Sequence, residues 1–145
     1  MKRNTLKEKL NNNELTIGSW ITIGHPAIPE ILSHAKFDWL VIDIEHTTID
    51  LSMVQTLIST IQSKDISALV RVSKNEEVVI KRVLDAGADG IIVPMVNSRV
   101  EAEKAIAAFT DAVTSALVKK EDISLVGFGS FVTALQKGKT GKVPG

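Results

Sequence analysis

Residues 37–50, FDWLVIDIEHTTID, carry the clearest pattern of secondary structure in the chain. Residues 38–44 form a nearly continuous apolar run rich in β-branched side chains, which predicts a strand buried on both faces. Asp50 then stands directly before the helical pattern of residues 51–62, where an aspartate can cap the first turn. A buried strand followed by a helix is the repeating unit of an α/β protein.

The same unit recurs along the first hundred residues. Further strands are predicted at residues 16–23, 67–72 and 89–95, and further helices at residues 29–35 and 76–84. Gly87 is expected to end the last of these helices in a left-handed conformation. Strands separated by single helices run parallel, because each crossover returns the chain to the starting edge. We therefore predict an α/β fold with about four parallel strands.

Composition narrows the class of protein. The 145 residues are 44% hydrophobic, which suits one ordinary core. The absence of cysteine excludes disulfides, thiolate catalysis and thiolate metal sites. Apolar runs fall well short of the roughly 20 residues that span a bilayer, and the start lacks the apolar centre of a signal peptide. We therefore expect a cytoplasmic protein without a membrane partner.

Polar side chains follow the predicted strands. The second strand leads into Asp43, Glu45 and His46, and Arg71 lies at the end of the third. Because parallel strands end at one edge of a sheet, these groups are expected to converge there. A guanidinium can bind a carboxylate and an imidazole can move a proton, so the set suits a small anionic substrate. Loop caps and structural ion pairs are the alternative interpretation.

Four motifs in this order resemble one family. They are the run at residues 37–50, ALVRVS at 68–73, IKRVLDAGADGIIVPMVNS at 80–98 and EAEKAI at 101–106. Over residues 14–107 the chain resembles the HpcH/HpaI aldolases, class II enzymes that make and cleave 2-keto acids with pyruvate as one partner. The family fold is an eight-unit barrel of about 250 residues. The resemblance therefore implies a partial TIM-type barrel, a truncated aldolase-like β/α domain over residues 1–107.

The resemblance also implies roles for individual residues. His46 would serve in acid/base chemistry, Arg71 would hold the pyruvyl carboxylate and stabilise enolate charge, and Asp85 would support the site. The implied substrate-binding residues are Arg71, Trp20, Asp43 and Glu45. A divalent metal, either magnesium, manganese or cobalt, is expected for the family. Its glutamate and aspartate ligands come from the fifth and sixth strands of the barrel, so we expect no metal ligand in this chain.

The pattern changes near residue 108. A helical pattern continues past this residue. The following run, ISLVGFGSFVTAL at residues 123–135, predicts a β-hairpin whose turn contains glycines, and a segment rich in lysine and glycine follows it. EDISLVGFGSF in this setting resembles the HU-type bacterial nucleoid proteins, whose paired arms enter the minor groove of DNA. We predict a partial HU-like segment over residues 108–145, with a helix, a β-hairpin and a disordered basic tail. The implied DNA contacts are Lys137, Lys139, Lys142 and Pro144.

Three functional hypotheses follow. The chain is a truncated carbon–carbon lyase acting on a 2-keto acid and an aldehyde, incomplete and weakly active or inactive. Alternatively it is a fragment that binds DNA weakly through phosphate contacts. The third hypothesis is a non-functional chimera in which neither site is complete. Because the first and fourth strands are open edges, a homo-oligomer is also a candidate assembly.

Overall fold

A computed structural model of the chain describes residues 5–118, 123–125 and 129–131. Four strands form one parallel sheet in the order β1-β2-β3-β4, which confirms the predicted α/β fold. The strands are β1 (Gly18–Ile21), β2 (Trp39–Asp43), β3 (Ser67–Arg71) and β4 (Gly90–Ile92). The helices are α1 (Thr5–Asn11), α2 (Ala27–Ser33), α3 (Leu51–Gln62), α4 (Glu77–Asp85) and α5 (Arg99–Val118). We call the end of this sheet where the strands finish the carboxyl edge, and the opposite end the amino edge.

Helices α2 to α5 share one face of the sheet. Side chains of β2 and β3 that point to this face, such as Leu40, Ile42 and Val70, form one buried cluster with residues of α3, α4 and α5. Val41 points to the other face and is also fully buried, although it is not part of that cluster. Its flanking neighbour Trp39 is only partly buried there. Burial is therefore most complete on the helix side, as expected where apolar strands meet amphipathic helices.

Both predicted helix-terminal residues behave as expected. Asp50 is extended, and its side chain accepts a 2.8 Å hydrogen bond from the backbone N–H of Met53. Gly87 has φ +95°, the left-handed region that favours glycine. The start of α5 carries a capping box that the sequence analysis did not identify: Glu101 N–H donates to Ser98 Oγ at 3.2 Å, and Glu101 Oε2 accepts from Ser98 N–H at 2.9 Å.

Helix α1 was not predicted. Its buried residue is Leu6, and Lys9 Nζ lies 2.6 Å from Asp38 Oδ1, at the amino edge of β2. Asp38 also accepts a hydrogen bond from the N–H of Ile17 at 2.9 Å. The Lys9 ammonium holds the pKa of Asp38 below its usual range, with the Ile17 bond contributing in the same direction. One carboxylate thus joins α1 and the segment before β1 to the sheet.

The last described residues are two short strands in the region where the sequence predicted a hairpin. Strands β5 (Ile123–Leu125) and β6 (Gly129–Phe131) pair in antiparallel fashion. The proposed division at residue 107 falls inside α5, and it stays a prediction. The predicted DNA contacts and the predicted disordered tail lie outside the described residues. Within the described part of the chain, no helix is both long and apolar enough to cross a membrane.

Candidate functional site

The register of two neighbouring strands, β2 and β3, positions the first residues of the site. Asp43 and Arg71 end β2 and β3, and they are partners in the parallel ladder. Trp20 in β1 pairs with Val41 of β2, two residues before Asp43. Side chains alternate along a strand, so Trp20, Asp43 and Arg71 share the face opposite the helices. This places the three side chains together at the carboxyl edge. The strand-end pattern predicted this convergence for Asp43 and Arg71, whereas only the family resemblance implied that Trp20 belongs to the site.

Arg71 and Asp43 form a two-point ion pair. Arg71 Nη2 lies 2.6 Å from Asp43 Oδ2, and Arg71 Nε lies 3.0 Å from Asp43 Oδ1. Two parallel N–H to oxygen bonds fix the plane of the guanidinium as well as its charge. The pairing holds the pKa of Asp43 below its usual range and raises that of Arg71. The side chain of Asp43 is only 3% exposed, whereas that of Arg71 is 23% exposed.

Glu45 stands between the cation and the imidazole. Its Oε2 is 3.2 Å from Arg71 Nε, and its Oε1 is 3.6 Å from His46 Nε2. Two carboxylates, those of Asp43 and Glu45, therefore face one guanidinium. The His46 side chain is 68% exposed, so its ring can reach a molecule bound above the carboxyl edge.

Asp43 also shapes the turn that carries His46. Its Oδ1 accepts hydrogen bonds from the backbone N–H groups of Glu45 at 3.0 Å and of His46 at 3.3 Å. This is the local side-chain-to-backbone bonding by which aspartate initiates turns. Thr47, which the sequence analysis did not single out, donates its hydroxyl to the carbonyl of Asp43 and accepts from the N–H of Ile49 at 3.2 Å. The available signal in the sequence was a threonine two residues after Glu45, because a hydroxyl at that position can hydrogen-bond to the backbone of the turn.

Trp20 forms one wall of the site. The Arg71 Cζ atom lies 4.7 Å from the centroid of the Trp20 ring, within the range of a cation–π contact. Trp20 is 43% exposed, so part of the indole remains open to solvent. The Trp20 ring therefore limits the movement of the guanidinium on one side, and the part of the guanidinium that faces solvent stays accessible.

Asp85 lies apart from these residues within the described part of the chain, and the supporting role that the resemblance implied for it stays a prediction. Helix α4 starts after the carboxyl end of β3 and leads to the amino end of β4, so its last residue, Asp85, lies at the amino edge. The Asp85 side chain is 60% exposed and pairs with Lys81 at 3.4 Å, one helical turn away. The direction of the crossover helix thus separates Asp85 from Arg71 and His46.

The site residues do not fit a divalent metal. Both oxygens of Asp43 already accept hydrogen bonds, and the two oxygens of Glu45 face Arg71 and His46. Magnesium and manganese prefer several oxygen ligands around one point. Among residues 5–118, 123–125 and 129–131, no group of three or more histidines and acids could hold a metal ion. The divalent metal implied by the resemblance therefore has no ligand set in this part of the chain.

A separate apolar cavity of about 520 Å³ lies away from the carboxyl-edge cluster. It is enclosed by α4, β4 and α5, and its lining includes Leu84, Ala88, Ile91, Ile106 and Phe109. None of the residues that surround Arg71 lines this cavity. Its lining also includes Thr110 and Asp89, and the Asp89 carboxylate accepts a 2.8 Å hydrogen bond from the N–H of Ala68. The cavity is otherwise apolar, and it holds neither an imidazole nor a guanidinium.

A parallel β/α sheet that gathers acids, an imidazole and a guanidinium at its carboxyl edge has the arrangement of a β/α-barrel-type enzyme domain. The family model of the HpcH/HpaI aldolase/citrate lyase proteins matches residues 16–125. The chain belongs to this family. The matched region extends beyond residue 107, where the resemblance in the sequence was expected to end.

Individual relatives agree with this assignment. The chain is 37% identical over 105 residues to the hydroxypyruvate/pyruvate aldolase of Roseobacter denitrificans, covering 72% of the chain and 41% of the relative. It is 38% identical over 104 residues to the 5-keto-4-deoxy-D-glucarate aldolase of Escherichia coli, with the same coverages of 72% and 41%. The chain therefore spans about two fifths of the length of these relatives.

Solved structures show the same fold. The chain superposes on citrate synthase SbnG with a TM-score of 0.68 and 35% identity, covering 72% of the chain and 42% of SbnG. It superposes on an HpcH/HpaI aldolase from Desulfitobacterium hafniense with a TM-score of 0.65 and 27% identity, covering 70% and 39%. The four-stranded sheet thus corresponds to part of an aldolase/citrate lyase fold.

Proposed function

We propose that the chain provides the 2-keto-acid-binding part of a carbon–carbon lyase that cleaves 2-keto-3-deoxy acids and releases pyruvate. The observation that carries the proposal is the Arg71–Asp43 pair at the carboxyl edge, with His46 on the adjoining turn. The names of the two aldolase relatives support this substrate class. Because the chain spans only 41% of the length of these relatives, an experiment must test whether it catalyses the complete reaction.

Arg71 would bind the anionic end of the substrate. Its guanidinium has two edges that can each donate a pair of hydrogen bonds. Asp43 takes the edge formed by Nε and Nη2, while no hydrogen bond from Nη1 is found within the described part of the chain. The edge formed by Nη1 and Nη2 can therefore donate hydrogen bonds to a carboxylate or an enolate oxygen. Trp20 supports the guanidinium in this orientation.

The reaction needs one proton removed and one proton added. In retro-aldol cleavage, the hydroxyl at C4 loses its proton, the C3–C4 bond breaks, and the aldehyde leaves. The electron pair of that bond moves onto pyruvate as its enolate, which then takes a proton at C3. Arg71 would stabilise the enolate oxygen through its positive charge, and exposed His46 would move the proton. A divalent metal, as the family implies, would add positive charge at the enolate oxygen, and its ligands are not among the described residues.

Pyruvate release tests the proposal directly. The purified chain is incubated with 5-keto-4-deoxy-D-glucarate and added magnesium, manganese or cobalt, and pyruvate is followed with a coupled dehydrogenase. His46→Ala is expected to lower the rate about 100-fold or more, the usual contribution of general acid/base catalysis. His34→Ala is the matched control, because His34 ends α2 and is exposed. Pyruvate release no faster than that of His46→Ala would refute the proposal.

A second measurement isolates the enolate step. Pyruvate in heavy water exchanges its methyl protons for deuterium when an enolate forms, and proton NMR reports the loss of the methyl signal. The unmodified chain should accelerate this exchange and Arg71→Ala should not. Equal exchange by both proteins would show that Arg71 does not stabilise the enolate.

A further inference from the structure

We infer that Asp43 is a positioning residue, one carboxylate that fixes both the cation and the imidazole of the site and does not contact the substrate. The inference rests on the proposed function, because it names what Arg71 and His46 are positioned for. It replaces the substrate-binding role that the resemblance implied for Asp43.

Burial separates Asp43 from the substrate space. Its side chain is 3% exposed, whereas the neighbouring Glu45 and Arg71 side chains are 17% and 23% exposed. The more exposed groups therefore stand between Asp43 and solvent. A substrate approaching the carboxyl edge meets Arg71 and His46 first.

Most of the hydrogen-bonding capacity of Asp43 is also used within the protein. An ionised carboxylate offers about four acceptor sites. Three donors converge on Oδ1, namely Arg71 Nε and the N–H groups of Glu45 and His46, and one donor, Arg71 Nη2, reaches Oδ2. Oδ1 is therefore fully occupied, and the remaining acceptor site of Oδ2 belongs to a side chain that is only 3% exposed. The same carboxylate thus bonds to the side chain of one functional residue and to the backbone of the other.

Glu45 explains why Arg71 needs this support. Glu45 Oε2 lies 3.2 Å from Arg71 Nε and offers the guanidinium a second anionic partner. Without the Asp43 charge, Arg71 would turn toward Glu45, and its Nη1/Nη2 edge would leave the position that suits an incoming carboxylate. Asp43 therefore decides which edge of the guanidinium is available.

Two substitutions separate the two tasks. In Asp43→Asn, Oδ1 can still accept from the N–H groups of Glu45 and His46, so the turn is retained. Its Nδ2 amide is a donor that faces the donors of Arg71, so the two-point ion pair is lost. Asp43→Ala removes both contacts. We expect Asp43→Asn to raise KM about tenfold to a hundredfold with a smaller change in kcat, and Asp43→Ala to lower kcat as well.

A matched control lies on the same strand segment. Asp38 precedes β2 at the amino edge and is also a paired carboxylate, bonded to Lys9 at 2.6 Å and to the N–H of Ile17 at 2.9 Å. Asp38→Asn removes a comparable ion pair far from the site. A loss of function that came only from lower stability would appear in both variants, whereas a positioning role affects Asp43→Asn alone.

The experiment measures binding without requiring turnover. Oxalate, a planar anion shaped like the pyruvate enolate, is titrated into the unmodified chain, Asp43→Asn and Asp38→Asn by calorimetry. The Arg71 Nε–H signal is recorded by nitrogen-15 NMR in each protein. We expect Asp43→Asn to weaken oxalate binding about tenfold or more, with faster solvent exchange of the Arg71 Nε–H, and Asp38→Asn to match the unmodified chain.

The outcomes distinguish the two proposals. Equal oxalate affinity in Asp43→Asn and the unmodified chain would overturn the inference and leave the proposed function standing. Absence of pyruvate release, together with oxalate binding that only Asp43→Asn weakens, would overturn the proposed function and support the positioning role. Absence of oxalate binding by the unmodified chain would overturn both.

Discussion

Gly18→Ala should destabilise the fold, because Trp39 lies across Gly18 in the ladder. Gly18 and Trp39 are partners between β1 and β2, and a Cβ added at Gly18 would overlap the ring carbons of Trp39, far inside the ~3.5 Å of van der Waals contact. The ring is rigid, and its Nε1 donates to Thr16 at 3.3 Å. Displacing it adds overpacking, which costs about 1–3 kcal/mol of the free energy of unfolding.

Gly90→Ala provides a contrast on the opposite edge strand. A Cβ there would lie 2.9 Å from Leu69 Cδ2, the end of a flexible side chain that can turn away. We expect a loss of less than about 1 kcal/mol, toward the lower end of the overpacking range. Urea denaturation followed by far-ultraviolet circular dichroism gives both values.

A double-mutant cycle tests whether the Trp39 ring is the cause. In a Trp39→Leu background, Gly18→Ala meets no ring, and the reduced freedom of the unfolded chain should stabilise the protein by about 0.4–1 kcal/mol. The change of sign between the two backgrounds is the decisive result. The same destabilisation in both backgrounds would refute the steric reasoning.

Three further perturbations have definite expectations. Asp50→Ala removes the cap bonded to Met53 N–H and should cost about 1 kcal/mol in urea denaturation, whereas Asp50→Ser should retain most of it. Gly87→Ala forces a side chain into the left-handed region at φ +95° and should cost about 1–2 kcal/mol, with Gly87→Asn costing less; equal losses would contradict the backbone argument. Because Lys9 lowers the pKa of Asp38, their pairing stabilises the fold above the pKa of an unfolded aspartate, about 3.9, and is lost as pH falls through the lower folded value. The Tm of the unmodified chain should therefore approach that of Lys9→Met in acid, and a constant difference down to pH ~2 would contradict this account.

The sheet and helix α3 could be predicted because local periodicity and a capping residue determine them. The bounds of α3 agree with the predicted residues 51–62, where Asp50 supplies the cap. Helix α1 escaped prediction because its support is an ion pair between Lys9 and Asp38, residues that are distant in sequence. Strand β4 ends earlier than predicted, and the chain turns at Met95, which has φ +55°.

The sequence was sufficient to predict which residues form the candidate site, but not how their side chains are arranged. Parallel strands bring their ends together, so Asp43, Arg71 and the adjoining turn were expected to converge. The sequence could not reveal that Asp43 is buried beneath Arg71, because this depends on the rotamers of both side chains. The placement of Asp85, in contrast, follows from the topology. Helix α4 runs back to the amino edge and therefore carries its last residue, Asp85, away from the site.

The positions of the two tryptophans have a spectroscopic consequence. The chain contains two tryptophans, no tyrosine and four phenylalanines, whose emission is weak, so Trp20 and Trp39 dominate its fluorescence. Trp39 lies across Gly18 within the sheet, while Trp20 stacks on Arg71 at the carboxyl edge. Fluorotryptophan incorporation would give two fluorine resonances. The resonance of Trp39 would report whether the β1–β2 ladder is intact, and that of Trp20 would report whether a ligand is bound to the Arg71 guanidinium. The protein thus carries separate built-in probes for folding and for ligand binding.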